Sequence, residues 1–122
     1  MNNSPNPKPK YDLEERTLEF AKDVRRFVET LPKSIANIED QKQLVRASGS
    51  VGANYIEANE SLGKKDFSMR VKICRKEAKE SAYWIKIIDE TNNLNNSNEA
   101  IRLFNEAIEL KKIFSSIIAK SK

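Results

Sequence analysis

The sequence predicts an all-α fold, an antiparallel up-down-up-down bundle of four helices, and three observations support this. Apolar residues recur at alternating spacings of four and three, which keeps them on one face of a helix. All four prolines lie at or before position 32, so no later helix is interrupted by one. The sequence has no sustained apolar–polar alternation and no Asn-Gly or Asp-Gly turn to indicate strands. Short links between long helices place neighbouring helices antiparallel.

The first ten residues, M-N-N-S-P-N-P-K-P-K, contain no periodic apolar positions. They predict a disordered tail over residues 1–11, followed by a bundle over residues 12–122. The first helix is expected after Asp12, whose carboxylate can cap it, and it is expected to end by Pro32. Its predicted core positions are Leu13, Thr17, Phe20, Val24, Phe27 and Leu31.

The second helix is expected from about residue 36 to Leu62, with Gly63 as the left-handed residue that ends it. Its predicted core positions are Leu44, Ser48, Val51, Tyr55, Ala58 and Leu62. Gly49 and Gly52 lie inside this helix, where each costs about 1 kcal/mol relative to alanine. Small neighbours leave this surface nearly free of bulk, so another backbone can approach closely. This surface therefore either packs closely on another helix of the same chain or is a site where a second chain or a ligand docks.

The third helix is expected after Asp66, as its N-cap, and should reach about Thr91. Its seam keeps the alternation unbroken, as bundle packing requires, through Phe67, Val71, Cys74, Ala78, Ser81, Ile85 and Ile88. An asparagine-rich link over residues 92–96 separates it from a fourth helix that begins near Ser97. The core positions predicted there are Leu103, Ala107, Leu110, Phe114 and Ile117, with Ile101, Phe104, Ile108 and Ile118 alongside.

The composition argues against an enzyme. The chain has no histidine, so it lacks an imidazole base and a Glu-x-x-His di-metal site. Its three scattered glycines form no phosphate-binding loop. Cys74, the single cysteine, lies on the core seam and is interpreted as a structural thiol in a reducing compartment. No apolar run is long enough for a membrane span or a signal peptide, so a soluble, cytoplasmic protein is expected. The missing histidines and phosphate-binding loop predict that it has no metal or cofactor.

Charge is informative through its distribution. The net charge is +4, and two of these charges come from Lys8 and Lys10 in the predicted tail. On the third helix, a mostly cationic face lies opposite the core seam when residues advance by about 100° each. We call this face the basic stripe, and it consists of Lys65, Lys72, Arg75, Lys76, Lys79, Tyr83 and Lys86.

Two interpretations of the basic stripe remain open. Lysines on a solvated helix face usually alternate with acids at i, i+4, and Lys76–Glu80 and Lys86–Glu90 follow that pattern. Lys72–Lys76 does not, and like charges at this spacing repel unless an anion is near. A phosphate backbone is one such anion, and binding to it would depend steeply on salt.

Two further surfaces also carry alternatives. Ile73, Trp84 and Ile87 gather on one side of the third helix, and we call them the apolar flank. They either pack on a neighbouring helix or form an interface between subunits. On the second helix, an off-core polar line consists of Arg46, Ser50, Asn54 and Glu57. This polar line is either a structural network of ion pairs and hydrogen bonds or a ligand site.

Two segments resemble a known family. They are R-A-S-G-S-V-G-A-N-Y-I-E-A at residues 46–58 and F-S-M-R-V-K-I-C-R-K-E-A-K-E-S-A-Y-W-I at residues 67–85. Together they resemble the bacterial four-helix-bundle family named after 23S ribosomal RNA intervening sequences, and the likeness extends over roughly residues 12–120. The positions that match the family pattern are Arg46, Ser50, Val51, Asn54, Glu57, Phe67, Ile73 and Glu80.

The resemblance implies a homo-oligomer, commonly a pentamer. Relatives include the accessory variability determinant of diversity-generating retroelements, a basic pentamer that binds nucleic acid and a reverse transcriptase. The leading hypothesis is therefore a non-catalytic, oligomeric bundle that binds RNA or DNA through the basic stripe, with a reverse transcriptase or another protein as a further candidate partner. The alternative is a scaffold that binds only protein partners, with the stripe serving solubility.

Overall fold

The computed structural model describes residues 12–94 and 98–121. It contains four helices, α1 (Leu13–Val28), α2 (Ile35–Asn59), α3 (Lys64–Asn92) and α4 (Asn98–Lys120). Each helix packs on the next one in the chain, and α4 packs on α1. The described ranges contain no strand, so the predicted four-helix bundle is confirmed. The predicted tail at residues 1–11 and the expected start of the fourth helix at Ser97 lie outside the described residues.

The predicted start of α1 is confirmed. The carboxylate of Asp12 accepts a hydrogen bond from the backbone N–H of Glu15, at 3.4 Å, and this satisfies a donor that the first helical turn leaves free. Ser34 caps α2 in the same way by accepting from the N–H of Asn37, at 3.1 Å. None of the helices in the described ranges has both the length and the apolarity needed to cross a membrane.

The predicted end of α2 is wrong by three residues. The helix ends at Asn59, because the N–H groups of Glu60 and Ser61 turn back onto carbonyls of the last helical turn. Leu62 therefore lies beyond the helix, and its side chain is fully exposed at 101%. The apolar spacing continues past the point where the backbone stops being helical.

The predicted start of α3 is also wrong. Gly63 has an extended backbone, with φ −158° and ψ 166°, so it is the N-cap of α3 and not a left-handed end of α2. Lys64 and Lys65 consequently belong to the first turn of α3, and Asp66 follows them there, where an acid interacts favourably with the helix dipole. A left-handed residue does occur at the other end of α3, where Asn93 has φ 46°.

The core follows the predicted seams closely. All six predicted core positions of α1 are buried, as are six of the seven in α3, Phe67 being half-buried. Tyr55 and Ile117 are also half-buried, and the ring of Tyr55 packs on that of Phe114 with centroids 5.9 Å apart. Ile101 was expected beside the seam of the fourth helix, but it is mostly exposed, at 55%. Periodicity therefore identifies the centre of each seam better than its edges.

The small-residue surface of α2 packs against α1 within the same chain. A Cβ atom on Gly52 would lie 2.8 Å from the hydroxyl oxygen of Thr17, which is buried and donates a hydrogen bond to the carbonyl of Leu13. A Cβ atom on Gly49 would meet only the end of the Arg25 guanidinium, at 3.2 Å. Gly52 is thus needed for the close approach of the two helices.

A partly buried pair of amides fixes the register between α2 and α3. The side chain of Asn37 donates to Asn92 at 2.7 Å, and Asn92 donates back to Asn37 at 2.9 Å. The same two amides also bond the carbonyls of Pro32 and Ile88. Because Asn37 is only 3% exposed, a shift of one helix along the other would leave buried polar groups unpaired.

Ion pairs connect α1 to α4. Arg16 donates two hydrogen bonds to Glu106, at 2.7 and 2.8 Å, and these raise the pKa of the arginine. Arg102 of α4 donates to Asp23 of α1 at 3.0 Å and also to Glu99. The hydrogen bond from Arg102 lowers the pKa of the Glu99 carboxyl. These pairs close the bundle between the two helices that are furthest apart in sequence.

We expect Gly52→Ala and Gly49→Ala to change stability in opposite directions. The new methyl group at position 52 overlaps a buried threonine, and overpacking of this kind costs about 1–3 kcal/mol. At position 49 the guanidinium of Arg25 can move aside, so the gain in helix propensity, up to about 1 kcal/mol, should remain. Urea unfolding of the matched pair measures both effects. A Gly52→Ala protein as stable as Gly49→Ala would contradict the close approach.

Candidate nucleic-acid interface

The outer face of α3 carries the centre of the basic stripe. Helices α2 and α4 pack on the two sides of α3, and its seam is buried, so the opposite face is left to solvent. Lys72, Lys76, Lys79 and Tyr83 are all exposed there. At about 100° per residue these four side chains fall within about 60° of arc. They form one line along the helix, roughly 16 Å long at 1.5 Å per residue.

The remaining members of the basic stripe lie at its ends and margin. Lys65 is exposed on the same face, but it belongs to the first turn of α3 and not to the preceding loop. Arg75 is half-buried at the margin. Lys86 pairs with Glu90 at 3.2 Å, and its ammonium lies 5.8 Å from the centre of the Phe104 ring. Lys86 is therefore partly engaged within the chain.

Carboxylates near the stripe are occupied by Arg46 of α2. Its guanidinium donates to Glu80 at 2.8 Å and lies 3.4 Å from an oxygen of Glu77. Within the described residues, by contrast, no ion pair involves Lys72, Lys76 or Lys79. Glu77 and Glu80 thus face α2 and Glu90 pairs with Lys86, so among the described residues no carboxylate pairs with the three central lysines.

Glu77 is a residue that the sequence interpretation missed. Its carboxylate is buried, at 6% exposure for the residue, and Arg46 reaches it from α2. Its position in the sequence could have indicated this burial, because Glu77 lies three residues after Cys74 and four before Ser81, both on the core seam. An acid at that spacing falls beside the core and needs a cationic partner, because an unpaired buried charge is strongly unfavourable.

The polar line of α2 divides into two parts. Arg46 reaches across to α3, as described, where it bonds Glu80, another position that matches the family pattern. The amide of Asn54 turns back onto its own helix and donates to the carbonyl and hydroxyl oxygens of Ser50, at 2.9 and 3.0 Å. Glu57 is exposed, and the structure does not bring its carboxylate to the others. This arrangement favours the structural-network interpretation.

The apolar flank also divides. Trp84 packs against the hydrophobic core, and its ring meets that of Tyr83 edge-on, with centroids 5.1 Å apart and an interplanar angle of 74°. The indole N–H of Trp84 is buried and has no acceptor among the described residues. Ile73 and Ile87 are half-buried on the same side of α3. Trp84 therefore packs within the chain, while the two isoleucines keep partly exposed apolar surface.

Cys74 is a core side chain. It is fully buried between helices, and desolvation raises the pKa of its thiol to about 12. A thiol is nucleophilic as the thiolate, so burial makes this one unreactive at neutral pH. Across the described residues, no three histidine, cysteine or acidic side chains are grouped as metal ligands would be.

Thiol labelling tests the burial of Cys74. We expect a disulfide reagent to modify native protein at neutral pH orders of magnitude more slowly than protein unfolded in guanidinium chloride.

The raised pKa of the Cys74 thiol also predicts that stability depends on pH. Above pH 9 the unfolded chain loses the thiol proton while the folded chain keeps it, so the free energy of unfolding should fall as pH rises toward about 12. Cys74→Ala should remove that part of the decline. In the labelling experiment, equal rates for native and unfolded protein would contradict burial of the thiol.

Comparisons with known proteins agree with the fold. The family model described as 23S rRNA-intervening sequence protein matches residues 10–116. Among solved structures, a protein of unknown function from the S23 ribosomal protein family of Bacteroides thetaiotaomicron VPI-5482 is similar. It is 26% identical, with a TM-score of 0.76 over 87% of this chain and 97% of that chain. A comparison with curated proteins found no match.

Proposed function

This chain belongs to the 23S rRNA-intervening sequence protein family, and we propose that it is a non-catalytic, oligomeric bundle that binds nucleic acid through the basic stripe. The observation that carries the proposal is the uncompensated charge of Lys72, Lys76 and Lys79 beside acids that are already paired. Clustered lysines repel one another, and a phosphate backbone relieves that repulsion while its counterions are released.

Self-assembly is the second part of the proposal. Ile73 and Ile87 keep apolar surface partly exposed on one side of α3. A neighbouring subunit would cover this surface, as apolar patches at subunit interfaces are covered. Linked subunits also present several basic stripes at once, so weak phosphate contacts act together through effective concentration.

The alternative function is a scaffold that binds only proteins. The apolar flank favours this alternative, because partly exposed isoleucines suit a protein partner of another sequence as well as a second copy of the chain. In that case the basic stripe serves solubility and binds no polyanion. The two functions therefore differ in whether affinity for nucleic acid resides in the stripe lysines.

Paired lysine variants test the proposed nucleic-acid interface. Lys76→Ala with Lys79→Ala should lower affinity for a labelled structured RNA roughly 10–100-fold at about 50 mM salt, because two phosphate contacts are lost. The slope of log K against log salt should become shallower by roughly 1.4–1.8 for the same reason. Fluorescence anisotropy across a salt series measures both quantities.

The matched control removes two charges elsewhere. Lys22→Ala with Lys42→Ala changes the net charge equally, but these lysines pair with Glu19 and Glu39 on α1 and α2. We expect this control to retain most of the wild-type affinity. If the wild type bound no nucleic acid at low salt, or both double variants lost affinity equally, the basic stripe would not be the binding surface.

Light scattering tests assembly. At micromolar concentration the mass of the wild type should exceed that of a single 14.0 kDa chain by a whole number of subunits. Ile87→Glu should shift it toward the monomer while circular dichroism stays helical, since this side chain is only half-buried. Trp84→Glu is a poorer choice because the indole packs on the core. Ile35→Glu, at a side chain that is 86% exposed, is the control. A monomeric wild type would exclude the oligomer.

A further inference from the structure

We infer that the basic stripe takes single-stranded nucleic acid, with an unpaired base stacked on Tyr83; this rests on the function proposed above. Tyr83 is 59% exposed, although its ring is large and apolar. It continues the line of Lys72, Lys76 and Lys79 within the same narrow arc of α3. An aromatic ring in line with phosphate-binding lysines is the arrangement by which proteins hold unpaired bases and their backbone together.

The ring of Tyr83 is held in place before any ligand arrives. It meets the ring of Trp84 at 74° with centroids 5.1 Å apart, and Trp84 is itself packed against the hydrophobic core. An edge-on aromatic pair of this kind is favourable beyond its buried area and restrains the orientation of the ring. Stacking on a ring that is already positioned loses little side-chain entropy, so more of the contact energy appears as affinity.

The charges around Tyr83 suit a backbone that passes on either side of a stacked base. Lys79 lies one turn before Tyr83 and Lys86 one turn after it. The two nearby acids are engaged, Glu80 by Arg46 at 2.8 Å and Glu90 by Lys86 at 3.2 Å. A phosphate on the amino-terminal side of the ring therefore meets an unpaired lysine, and one on the other side can compete with Glu90 for Lys86.

A duplex makes poorer use of this site. Bases inside a duplex are stacked on each other and present only their edges in the grooves. A duplex would therefore contact the lysines but leave the face of Tyr83 unused. Removing the ring should then weaken binding to single strands and leave binding to a duplex unchanged, because the lysines serve both.

The experiment compares wild type, Tyr83→Ala and Tyr83→Phe against labelled oligo(rU), oligo(dT) and a mixed-sequence DNA duplex of the same length. Tyr83→Ala should lower affinity for a single strand about 5–150-fold, the range for loss of one base–aromatic stack. Tyr83→Phe keeps the ring and should bind as the wild type does. A loss of affinity for either single strand supports the inference, and the strand that the wild type binds more tightly is the preferred polymer.

Trp84 provides an independent readout because it is the only tryptophan in the chain. Its emission should change when a single strand stacks beside it on Tyr83 and should not change with the duplex. If Tyr83→Ala weakened neither single strand, weakened the duplex equally, or was matched by Tyr83→Phe, the stacking inference would fail while stripe-dependent binding stood. No binding of any oligonucleotide by the wild type would overturn the proposed function as well.

Discussion

The contact between Gly52 and Thr17 constrains the rest of the bundle. A helix is rigid, so the close approach at this point fixes how α2 is rotated about its own axis. Arg46 lies six residues earlier, which places it about 120° around the helix from Gly52. With the glycine against α1, the arginine is directed to α3, where it meets Glu77 and Glu80. Packing on one side of α2 thereby determines electrostatics on the other.

The result is a separation of charge that the net value conceals. The chain carries only +4 overall, and many of its ion pairs join neighbouring turns or neighbouring helices. On α3, however, Glu77 and Glu80 pair with Arg46 of α2, while the central lysines of the basic stripe remain on the solvent face. Local fields of this kind, more than total charge, raise the concentration of an oppositely charged ligand near a surface. The same separation places Tyr83 beside Lys79 and Lys86, while the nearby acids Glu80 and Glu90 are each paired with a cation.

Sequence periodicity predicted the helices and their buried seams because burial on one face dictates which positions are apolar. It failed at the boundary near Leu62 and Gly63, since a glycine suits a left-handed end of one helix or an extended start of the next. The outer lysines were predictable because they lie opposite a seam. The pairing of Arg46 with Glu77 was not, because it depends on the register between two helices. That register is fixed by the partly buried amide pair of Asn37 and Asn92, and the apolar period within a single helix carries no information about it.

The order of the helices has a consequence for how the chain folds. Every helix pair that packs in the described bundle joins neighbours along the chain, except α1 with α4. Contacts between sequence neighbours close short loops and form quickly, whereas joining the two ends requires a long loop to close. We therefore expect the α1–α4 seam to form last, and its rim carries the partly exposed ion pairs of Arg16 and Arg102. Pairs of this kind contribute little in water and less in salt. We accordingly expect transient opening of the native protein to begin with α1 leaving α4, while α2, α3 and the face that carries the basic stripe stay assembled.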